Sequence, residues 1–442
     1  MRLSALKYMV LSWVSGLTSL ILFLVPLHAL LTVWIASNFG HYIAWRLWKE
    51  ALLIVCIIGT IYLLLADHKI RKHTLSRRLV WLIITYALLN IIWALLAVNQ
   101  HDVTSKAAGY ALIINLRFLA FFLVTWAVAL RMARLRVHWE RLVLWPAAVV
   151  VIFGLLQIFI LPHDFLRHFG YSQATIPAYE TINHNQHYIR IASTLRGANP
   201  LGAYLLIPIT LLCVLMIRKG RNWRQGLFLA GATAVLLFSF SRSAFVGVVM
   251  AVITVLFLSH LSRKTQKLTL GLAAILVIAG SLLTILFRHN MHYQNFIFHT
   301  QTNSSIRSTS NGGHASALKS GLNDIEHEPL GSGPGTAGPA SVYNDHKVRL
   351  AENYFLQIGQ ETGLIGFLLF SLICGGVGAL LYVRRADPLA LSLFASLIGL
   401  TFINLLSHAW ADDTLAYVWW GLAGVAMVPL PKDLDAPQDA KV

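Results

Sequence analysis

Three polar residues before an apolar segment form a pattern that favours binding of an anion. The stretch at 193–202 reads STLRGANPLG and holds Arg196 and Asn199, and Arg190 lies just upstream. Because the proline of this stretch suits the first turn of a helix, we expect Asn199 to cap a helix that begins here. A helix N-terminus beside two arginines is a suitable site for a phosphate or pyrophosphate group. The alternative is structural, with Asn199 only capping the helix and the arginines contacting lipid headgroups.

Two further arginines lie between or within apolar segments. The segments 226–240 and 243–260 are separated by so few residues that they must form a tight hairpin, with Arg242 at its tip. Arg242 could join the same phosphate site, or its side chain could extend to the lipid headgroups. Arg117 lies inside an apolar segment, about 12 Å from its end at a helical rise of about 1.5 Å per residue. An arginine at that depth usually faces a bundle interior or a wet cavity, although it could pair with a neighbouring helix.

A second group of polar residues could accept a proton or contact a polar substrate. Asn353, Gln357 and Gln360 fall on one face of a predicted helix, and Glu352 stands at its start. Glu352 could take a proton from a hydroxyl group, or it could only stabilise the first turn of the helix. His314, in the long polar segment that precedes this helix, is a further candidate base.

The stretch SHAWADDT at 407–414 holds His408, Asp412 and Asp413 just before the last apolar segment. These side chains could contact a substrate, but a metal site would need more converging ligands than the stretch supplies. The sequence therefore predicts no metal and no cofactor. The glycine-rich stretch EPLGSGPGTAGPAS at 328–341 lacks the Lys-Ser/Thr of a nucleotide phosphate loop, and we expect it to form a sharp turn.

All of these stretches lie between long apolar segments. Hydrophobic residues make up 57% of the 442 residues and charged residues only 12%, which argues against a soluble enzyme. Most of the apolar segments approach the length of about 20 residues that a helix needs to cross a bilayer. They lie at 9–36, 51–66, 79–98, 109–130, 142–162, 199–217, 226–240, 243–260, 268–287, 363–382, 388–407 and 414–430.

Basic residues orient these segments, because short basic clusters such as 69–78 and 131–141 recur in every second gap. Such clusters are typical of cytoplasmic loops, so this placement explains the net charge of +17 without nucleic acid. The sequence predicts an all-α polytopic protein of the cytoplasmic membrane with about twelve transmembrane helices, both termini cytoplasmic, and its site facing outside. The predicted divisions are 1–162 (helices one to five), 163–198 (outer loop), 199–287 (helices six to nine), 288–362 (large outer loop forming a cap), 363–430 (helices ten to twelve) and 431–442 (cytoplasmic tail).

In these motifs the chain resembles the bacterial O-antigen ligase and O-antigen polymerase superfamily. The resemblance rests on STLRGANPLGAYL, FSFSRSAFVG, EPLGSGPGTAG, ENYFLQIGQETGLIGF and SHAWADDT, and it covers most of the chain from about the fifth apolar segment onward. It implies a GT-C-like, metal-independent glycosyltransferase of the membrane. Such enzymes transfer a glycan from an undecaprenyl-pyrophosphate carrier to an acceptor at the outer face of the inner membrane, and we expect inversion at the anomeric carbon.

The resemblance also implies roles for individual residues. The pyrophosphate would be bound by Arg190 and Arg242, with Arg196 an additional cation. Asn199 and Arg117 are the remaining candidates on the pyrophosphate side. From their positions in the sequence, apart from the resemblance, Asn353, Gln357, His408, Asp412 and Asp413 are the candidates for the glycan or acceptor side.

The chain departs from the ligase pattern at the helix that ends the large outer loop. That helix usually opens with His-Asn in the ligases, whereas this chain has Glu352-Asn353. The general base therefore stays open between Glu352 and His314, and the choice of ligase over polymerase is weakened.

Three alternatives to a ligase remain on the sequence alone. A repeat-unit polymerase would use the same donor site with a lipid-linked acceptor. A transporter or flippase for a lipid-linked glycan is less consistent with the absence of a visible internal repeat. A purely structural membrane scaffold would leave the outer arginines unexplained. The expected partners are a lipid-linked oligosaccharide donor, a glycan or lipid acceptor and membrane lipid, and not nucleic acid.

Overall fold

The computed structural model describes residues 5–182, 185–220, 222–259, 310–345, 348–350 and 352–429, together with a few positions between 267 and 290. Most of the described residues are helical, and the multi-pass helical architecture predicted from the sequence is confirmed. The helices are α1 (Ala5–Leu24), α2 (His28–Phe39), α3 (Tyr42–Arg46), α4 (Trp48–Ala66), α5 (His68–Leu75), α6 (Arg78–Asn99), α7 (Ser105–Ala129), α8 (Ala133–Val137), α9 (Trp139–Phe159), α10 (Ala198–Arg218), α11 (Trp223–Phe238), α12 (Arg242–Leu258), α13 (Ser310–His327), α14 (Tyr354–Val383), α15 (Pro388–Asn404) and α16 (Asp413–Ala426).

Seven stretches of the described chain are long and apolar enough to cross a membrane. They are α1 with α2, α4, α6, α7, α9, α10 and α14, and α11, α12 and α15 are apolar but shorter. The predicted segment 268–287 lies almost wholly outside the described residues, and the other predicted segments coincide with helices.

Small residues allow the central helices to approach closely. A Cβ atom added at Gly399 of α15 would lie 2.3 Å from the carbonyl oxygen of Gly247 in α12. A Cβ atom at Gly424 of α16 would lie 2.4 Å from the carbonyl oxygen of Phe122 in α7. Contacts of this kind are common between membrane helices, because lipid supplies no hydrophobic driving force for their association. Helices α12, α15 and α16 pack against α10, the most buried of the seven stretches, and α16 in turn packs against α7.

A short hairpin, which the sequence did not predict, lies in the loop between α9 and α10. Strand β1 (Glu180–Ile182) pairs antiparallel with β2 (Asn185–Arg190), so that Glu180 lies opposite Arg190. The pairing places the end of β2 eight residues before α10. The hairpin therefore holds Arg190 beside the start of that helix.

The glycine-rich stretch is inserted between helices, rather than forming only a turn above them. Gly333 and Gly335 are buried, and Cβ atoms at these positions would lie 2.3 Å from Cβ of Ala97 and 2.8 Å from the carbonyl carbon of Ala107. Both glycines have positive φ angles, which residues with a side chain rarely adopt. The stretch is thereby locked against the ends of α6 and α7, and the Nε1 of Trp93 donates to the Leu330 carbonyl over 2.7 Å.

Polar segments meet at one end of the bundle, which we call the site end. It comprises residues 190–199, 238–242, 352–354 and 404–413. The backbone N–H of Ile191 donates to the Phe238 carbonyl (3.3 Å), and that of Tyr354 donates to the Ser407 carbonyl (3.2 Å). The loop before α10 is thus joined to the hairpin tip, and the start of α14 to the linker before α16.

The opposite end of the bundle carries the basic clusters that the sequence placed on one side. Arg131 pairs with Asp67 over 2.8 Å, and Arg136 pairs with Asp387. Arg136 also donates from Nε to the Val428 carbonyl over 2.9 Å. The basic loops after α4, α7 and α14 therefore share one end, away from the site end.

Candidate functional site

A cavity of about 240 Å³ lies at the site end, and five of the predicted site residues line it. They are Arg196, Asn199, Glu352, His408 and Asp412. The other lining residues are Pro200, Ala203, Ser243, Ile403, Leu406, Ser407 and Ala409. The cavity therefore joins four stretches of the chain, and its first and last lining residues, Arg196 and Asp412, differ by more than two hundred positions.

The start of α10 forms one wall, with a cap that differs from the prediction. Gly197 is the N-cap residue and offers no side chain, so the expectation that Asn199 caps the helix is wrong. The Oδ1 atom of Asn199 instead accepts a hydrogen bond from Nη2 of Arg190 over 2.6 Å. The carboxylate of Glu180 caps the helix from the hairpin, accepting from the N–H of Ala198 over 3.3 Å.

Arg190 lies at the end of β2 and connects the hairpin to the loop that carries Arg242. Its Nε donates to the Ser239 carbonyl over 2.9 Å, and its Nη1 lies 3.4 Å from Oε2 of Glu180. Burial lowers the pKa of the Arg190 guanidinium, and the carboxylate of Glu180 opposes that effect while the charge on Arg242 adds to it. The bond to Ser239 thus joins Arg190 directly to the three-residue connection that precedes Arg242.

The predicted tight hairpin around Arg242 is confirmed. Helix α11 ends at Phe238 and α12 begins at Arg242, so three residues make the connection. Ser243, the next residue of α12, lines the cavity. Arg242 thus stands at the cavity edge, on the side of Arg190.

Arg196 and Asp412 form an ion pair within the cavity wall. Nε of Arg196 lies 2.8 Å from Oδ2 of Asp412, and the aspartate side chain is only 5% exposed. The other carboxylate oxygen of Asp412 accepts from the N–H of Leu415 over 3.1 Å and caps α16. Asp412 therefore both pairs with Arg196 and caps the N-terminus of α16.

Glu352 and Asn353 bring the start of α14 to the cavity. Glu352 has a φ angle of 52°, in the left-handed region, and its side chain lines the cavity. Asn353 caps α14 by accepting from the N–H of Leu356 over 3.0 Å, and its Nδ2 donates to the Leu405 carbonyl over 3.0 Å. The prediction that Glu352 stands at the start of a helix is thus confirmed, whereas its role as a base stays a prediction.

The structure does not bring every predicted residue to the cavity. Gln357 is buried beneath Gly338, and Gln360 donates from Nε2 to Oδ2 of Asp324 over 2.7 Å. His314 belongs to α13, but its side chain lies outside the described part of the chain. Its role as a base therefore rests on the sequence alone.

Arg117 points into the bundle and forms an ion pair, which was the structural alternative for it. Its Nη1 lies 2.9 Å from Oε1 of Glu50, and its Nη2 donates to the Ala411 carbonyl over 2.8 Å. Because Ala411 directly precedes Asp412, Arg117 supports the floor of the cavity from below. It is not among the residues that line the cavity.

Asp413 is held in a buried charged cluster that sequence reasoning missed. Nζ of Lys49 lies 2.9 Å from Oδ2 of Asp413 and 3.2 Å from Oε2 of Glu50, and Nε2 of His28 lies 3.3 Å from Oδ2 of Asp413. The Lys49-Glu50 pair stands at the start of an apolar segment, where it resembles an ordinary segment boundary. The adjacent Lys49 and Glu50 directly before the apolar segment 51–66 were the sequence feature that could have indicated this cluster.

A second residue that sequence reasoning missed is Glu361, which is fully buried in α14. Its Oε1 accepts from the N–H of Gly335 over 3.0 Å, and its Oε2 accepts from Nδ2 of Asn115 over 2.7 Å. Glu361 thereby holds the glycine-rich stretch in the bundle. A carboxylate within an otherwise apolar helix is costly in a membrane and was a signal in the sequence.

Comparison with known proteins supports the resemblance inferred from the motifs. The family model described as O-antigen ligase matches residues 226–371, a segment that includes Arg242, Glu352 and Glu361. The resemblance to the O-antigen ligase and polymerase superfamily is therefore confirmed over this segment. No curated protein matches the chain.

Proposed function

We propose that the protein is a membrane glycosyltransferase of the O-antigen ligase type. It transfers a glycan from an undecaprenyl-pyrophosphate carrier to an acceptor at the outer face of the cytoplasmic membrane. The observation that carries the proposal is that Arg196 and Glu352 line one cavity, and that Glu352 falls within the segment that matches the O-antigen ligase family.

The donor pyrophosphate lies on the side of the cavity formed by α10 and α12. Arg190, Arg196 and Arg242 surround the start of α10, whose N–H groups and dipole also favour an anion. When the bond between the anomeric carbon and the pyrophosphate oxygen breaks, its electron pair passes to that oxygen. The arginines stabilise this charge, and such preorganised groups are typically the largest contribution to catalysis.

The acceptor hydroxyl approaches from the side formed by the start of α14 and the linker before α16. Glu352 removes its proton as the oxygen attacks the anomeric carbon, with His314 as the second candidate base. Attack opposite the leaving pyrophosphate inverts the configuration. His408, which lines the same wall, contacts the acceptor or the glycan.

The reaction in this proposal includes no metal and no nucleotide sugar. Three guanidinium groups can neutralise a pyrophosphate, and bidentate contacts from arginine suit its oxygens. We therefore expect transfer to continue in excess chelator. Strict dependence on a divalent cation would contradict this part of the proposal.

The proposed topology has twelve spans with both termini in the cytoplasm. Its support is the shared end of the basic loops at Asp67, Arg131 and Arg136, because such loops face the cytoplasm. The site end then faces outward. The large outer loop 288–362 is the proposed cap; residues 291–309 of it lie outside the described residues, and its glycine-rich stretch packs against α6 and α7.

The test is a transfer assay with purified protein, lipid-linked oligosaccharide and candidate acceptors, read by mass spectrometry. Glycan on an acceptor that is not a polyprenyl lipid supports a ligase, and growth by whole repeat units on the carrier supports a polymerase. Donor movement across a vesicle membrane, without any covalent product, would overturn the proposal in favour of a flippase.

A further inference from the structure

We propose that Glu180 acts as an internal competitor for the phosphate site, so that its carboxylate rather than a phospholipid headgroup occupies the site until the donor displaces it. The inference rests on the proposed function, because it assigns the donor pyrophosphate to the start of α10. It adds a residue that controls occupancy of the site, outside the segment that matches the family, on the hairpin that the sequence did not predict.

The carboxylate of Glu180 occupies the position where the sequence predicts a phosphate. Its Oε1 accepts from the N–H of Ala198 over 3.3 Å, at the N-terminus of α10. Its Oε2 lies 3.4 Å from Nη1 of Arg190. These two partners, a helix N-terminus and an arginine, are those expected for a phosphate oxygen.

The carboxylate and a phosphate cannot occupy this position together. A Cβ atom added at Gly197 would lie only 2.6 Å from Oε1 of Glu180, so the carboxylate is packed directly on the backbone at the helix start. A phosphate that contacts the Ala198 N–H must therefore displace Glu180. Displacement is feasible, because the Glu180 side chain is 37% exposed and its pair with Arg190 is long.

Displacement of Glu180 costs the same for every anion that contacts the Ala198 N–H, so occupancy depends on what each ligand gains beyond that cost. A phosphodiester headgroup, such as that of phosphatidylglycerol, has a single negative charge, so its exchange for the carboxylate gains little Coulomb energy. The pyrophosphate diester of the donor has one charge on each phosphate, and its second phosphate can reach Arg242 or Arg196 after the first has replaced Glu180. Glu180 therefore lowers the fraction of sites that a phospholipid headgroup occupies, and the donor can still displace it although it binds more weakly than it would without the carboxylate.

The test compares the wild type with Glu180→Gln, Glu180→Asp and a control, Asp164→Asn. Asp164 lies in the same loop, is 40% exposed and pairs with Arg167, so its substitution removes a comparable surface charge away from the cavity. Two quantities are measured in nanodiscs of increasing phosphatidylglycerol content: binding of undecaprenyl pyrophosphate, and the KM for the lipid-linked donor.

We expect phosphatidylglycerol to weaken donor binding to Glu180→Gln by several-fold, with little effect on the wild type, on Glu180→Asp or on the control. In discs without anionic lipid, Glu180→Gln should bind the carrier more tightly than the wild type. If Glu180 only positions Arg190, the Gln variant will bind more weakly and turn over more slowly in every lipid, which overturns the inference. A normally folded Gln variant whose donor binding responds to phosphatidylglycerol as the wild type does also overturns it.

The same experiment separates this inference from the proposed function. A wild-type protein that neither binds undecaprenyl pyrophosphate nor transfers a glycan contradicts the proposed function itself. A wild type that does both, with a Gln variant that responds equally to phosphatidylglycerol, contradicts only the role of Glu180.

Discussion

Nε of Arg196 lies 2.8 Å from Oδ2 of Asp412, so the cation next to the start of α10 is oriented by the residue that caps α16. The pair joins two helices whose sequence positions differ by more than two hundred residues. Its aspartate is nearly buried, whereas its arginine is 43% exposed towards the cavity. The geometry therefore leaves the arginine accessible to a ligand while one of its nitrogens is fixed.

Asp412→Asn should weaken donor binding without unfolding the protein. The amide oxygen of asparagine can still accept from the Leu415 N–H, so the cap survives while the charge on the partner of Arg196 is lost. An ion pair with one buried member lies between exposed pairs, which contribute about 0–1 kcal/mol, and buried pairs, whose loss costs about 3–5 kcal/mol, so we expect the KM for the donor to rise about 10-fold. Steady-state kinetics with the lipid-linked donor checks this. Asp345→Asn, at an exposed position of the same end, is the control and should behave as the wild type.

Arg242→Ala should abolish transfer while the protein still inserts in the membrane and purifies normally. The substitution removes one of the cations proposed to hold the leaving pyrophosphate, and Arg242→Lys should recover only part of the rate because lysine cannot form a bidentate contact. The measurement is transfer by mass spectrometry, with Arg167→Ala as the control. Arg167 is an exposed arginine of the loop before α10, paired with Asp164. A fully active Arg242→Ala variant would remove Arg242 from the site.

The sequence predicted much of the cavity because its residues stand beside the ends of apolar segments. Arg196, Asn199, His408 and Asp412 each lie at such an end, Glu352 lies at the start of the helix that leads into the segment 363–382, and alternation of the segments places these positions on one side. Helix length and spacing, which are local properties, are sufficient for this inference. Partners across the bundle are not local, so the role of each polar residue could not be read in the same way.

Asn199 and Arg117 show what the sequence could not supply. Asn199 was expected to cap α10, but a hairpin brings Glu180 to the cap and leaves Asn199 to bind Arg190. Arg117 was a candidate ligand, but the packing of α4 against α7 pairs it with Glu50. Both outcomes depend on which helix or strand becomes a neighbour, which a single sequence does not reveal.

Glu352→Gln should lower kcat far more than it changes the KM for the donor. Glutamine keeps the size of the side chain at the cavity wall but cannot accept the proton of the acceptor hydroxyl. Since general acid–base groups contribute about 10²-fold to 10⁴-fold to a rate, we expect a fall within that range. The matched variant is His314→Ala, which should keep most of the rate. The reverse pattern, a slow His314→Ala and a normal Glu352→Gln, would assign the base to His314.

Glu361→Leu should release the glycine-rich stretch from the bundle. The substitution leaves the N–H of Gly335 and the amide of Asn115 without their acceptor, and each unsatisfied buried group costs about 1–3 kcal/mol. Because the N–H of Gly338 in the same stretch donates to the Arg349 carbonyl, release should also disturb the segment before Glu352 and slow transfer.

Hydrogen exchange of peptides covering 330–340 in the Glu361→Leu variant should become faster. Glu361→Gln, which keeps an acceptor, should change exchange much less, and the exposed Glu326→Leu of α13 should not change it.

Lys49→Met should destabilise the protein through charge rather than through packing. The Lys49 side chain is 2% exposed and lies between the carboxylates of Glu50 and Asp413, so methionine of similar length fills the space but leaves two acids facing each other. Loss of one member of a buried ion pair costs about 3–5 kcal/mol, because the remaining charge is uncompensated. We therefore expect a clear fall in the Tm measured by thermal unfolding in detergent.

The double variant Lys49→Met with Asp413→Asn distinguishes charge from shape at the same place. Removal of the second charge should recover part of the lost Tm, since only Glu50 then remains and it keeps its pair with Arg117. Lys69→Met, at an exposed position after α4, is the control and should leave the Tm unchanged. If the double variant is no more stable than Lys49→Met, packing rather than charge holds this cluster. The cluster would then influence the cavity through the packing of Asp413 beside Asp412, and not through its charges.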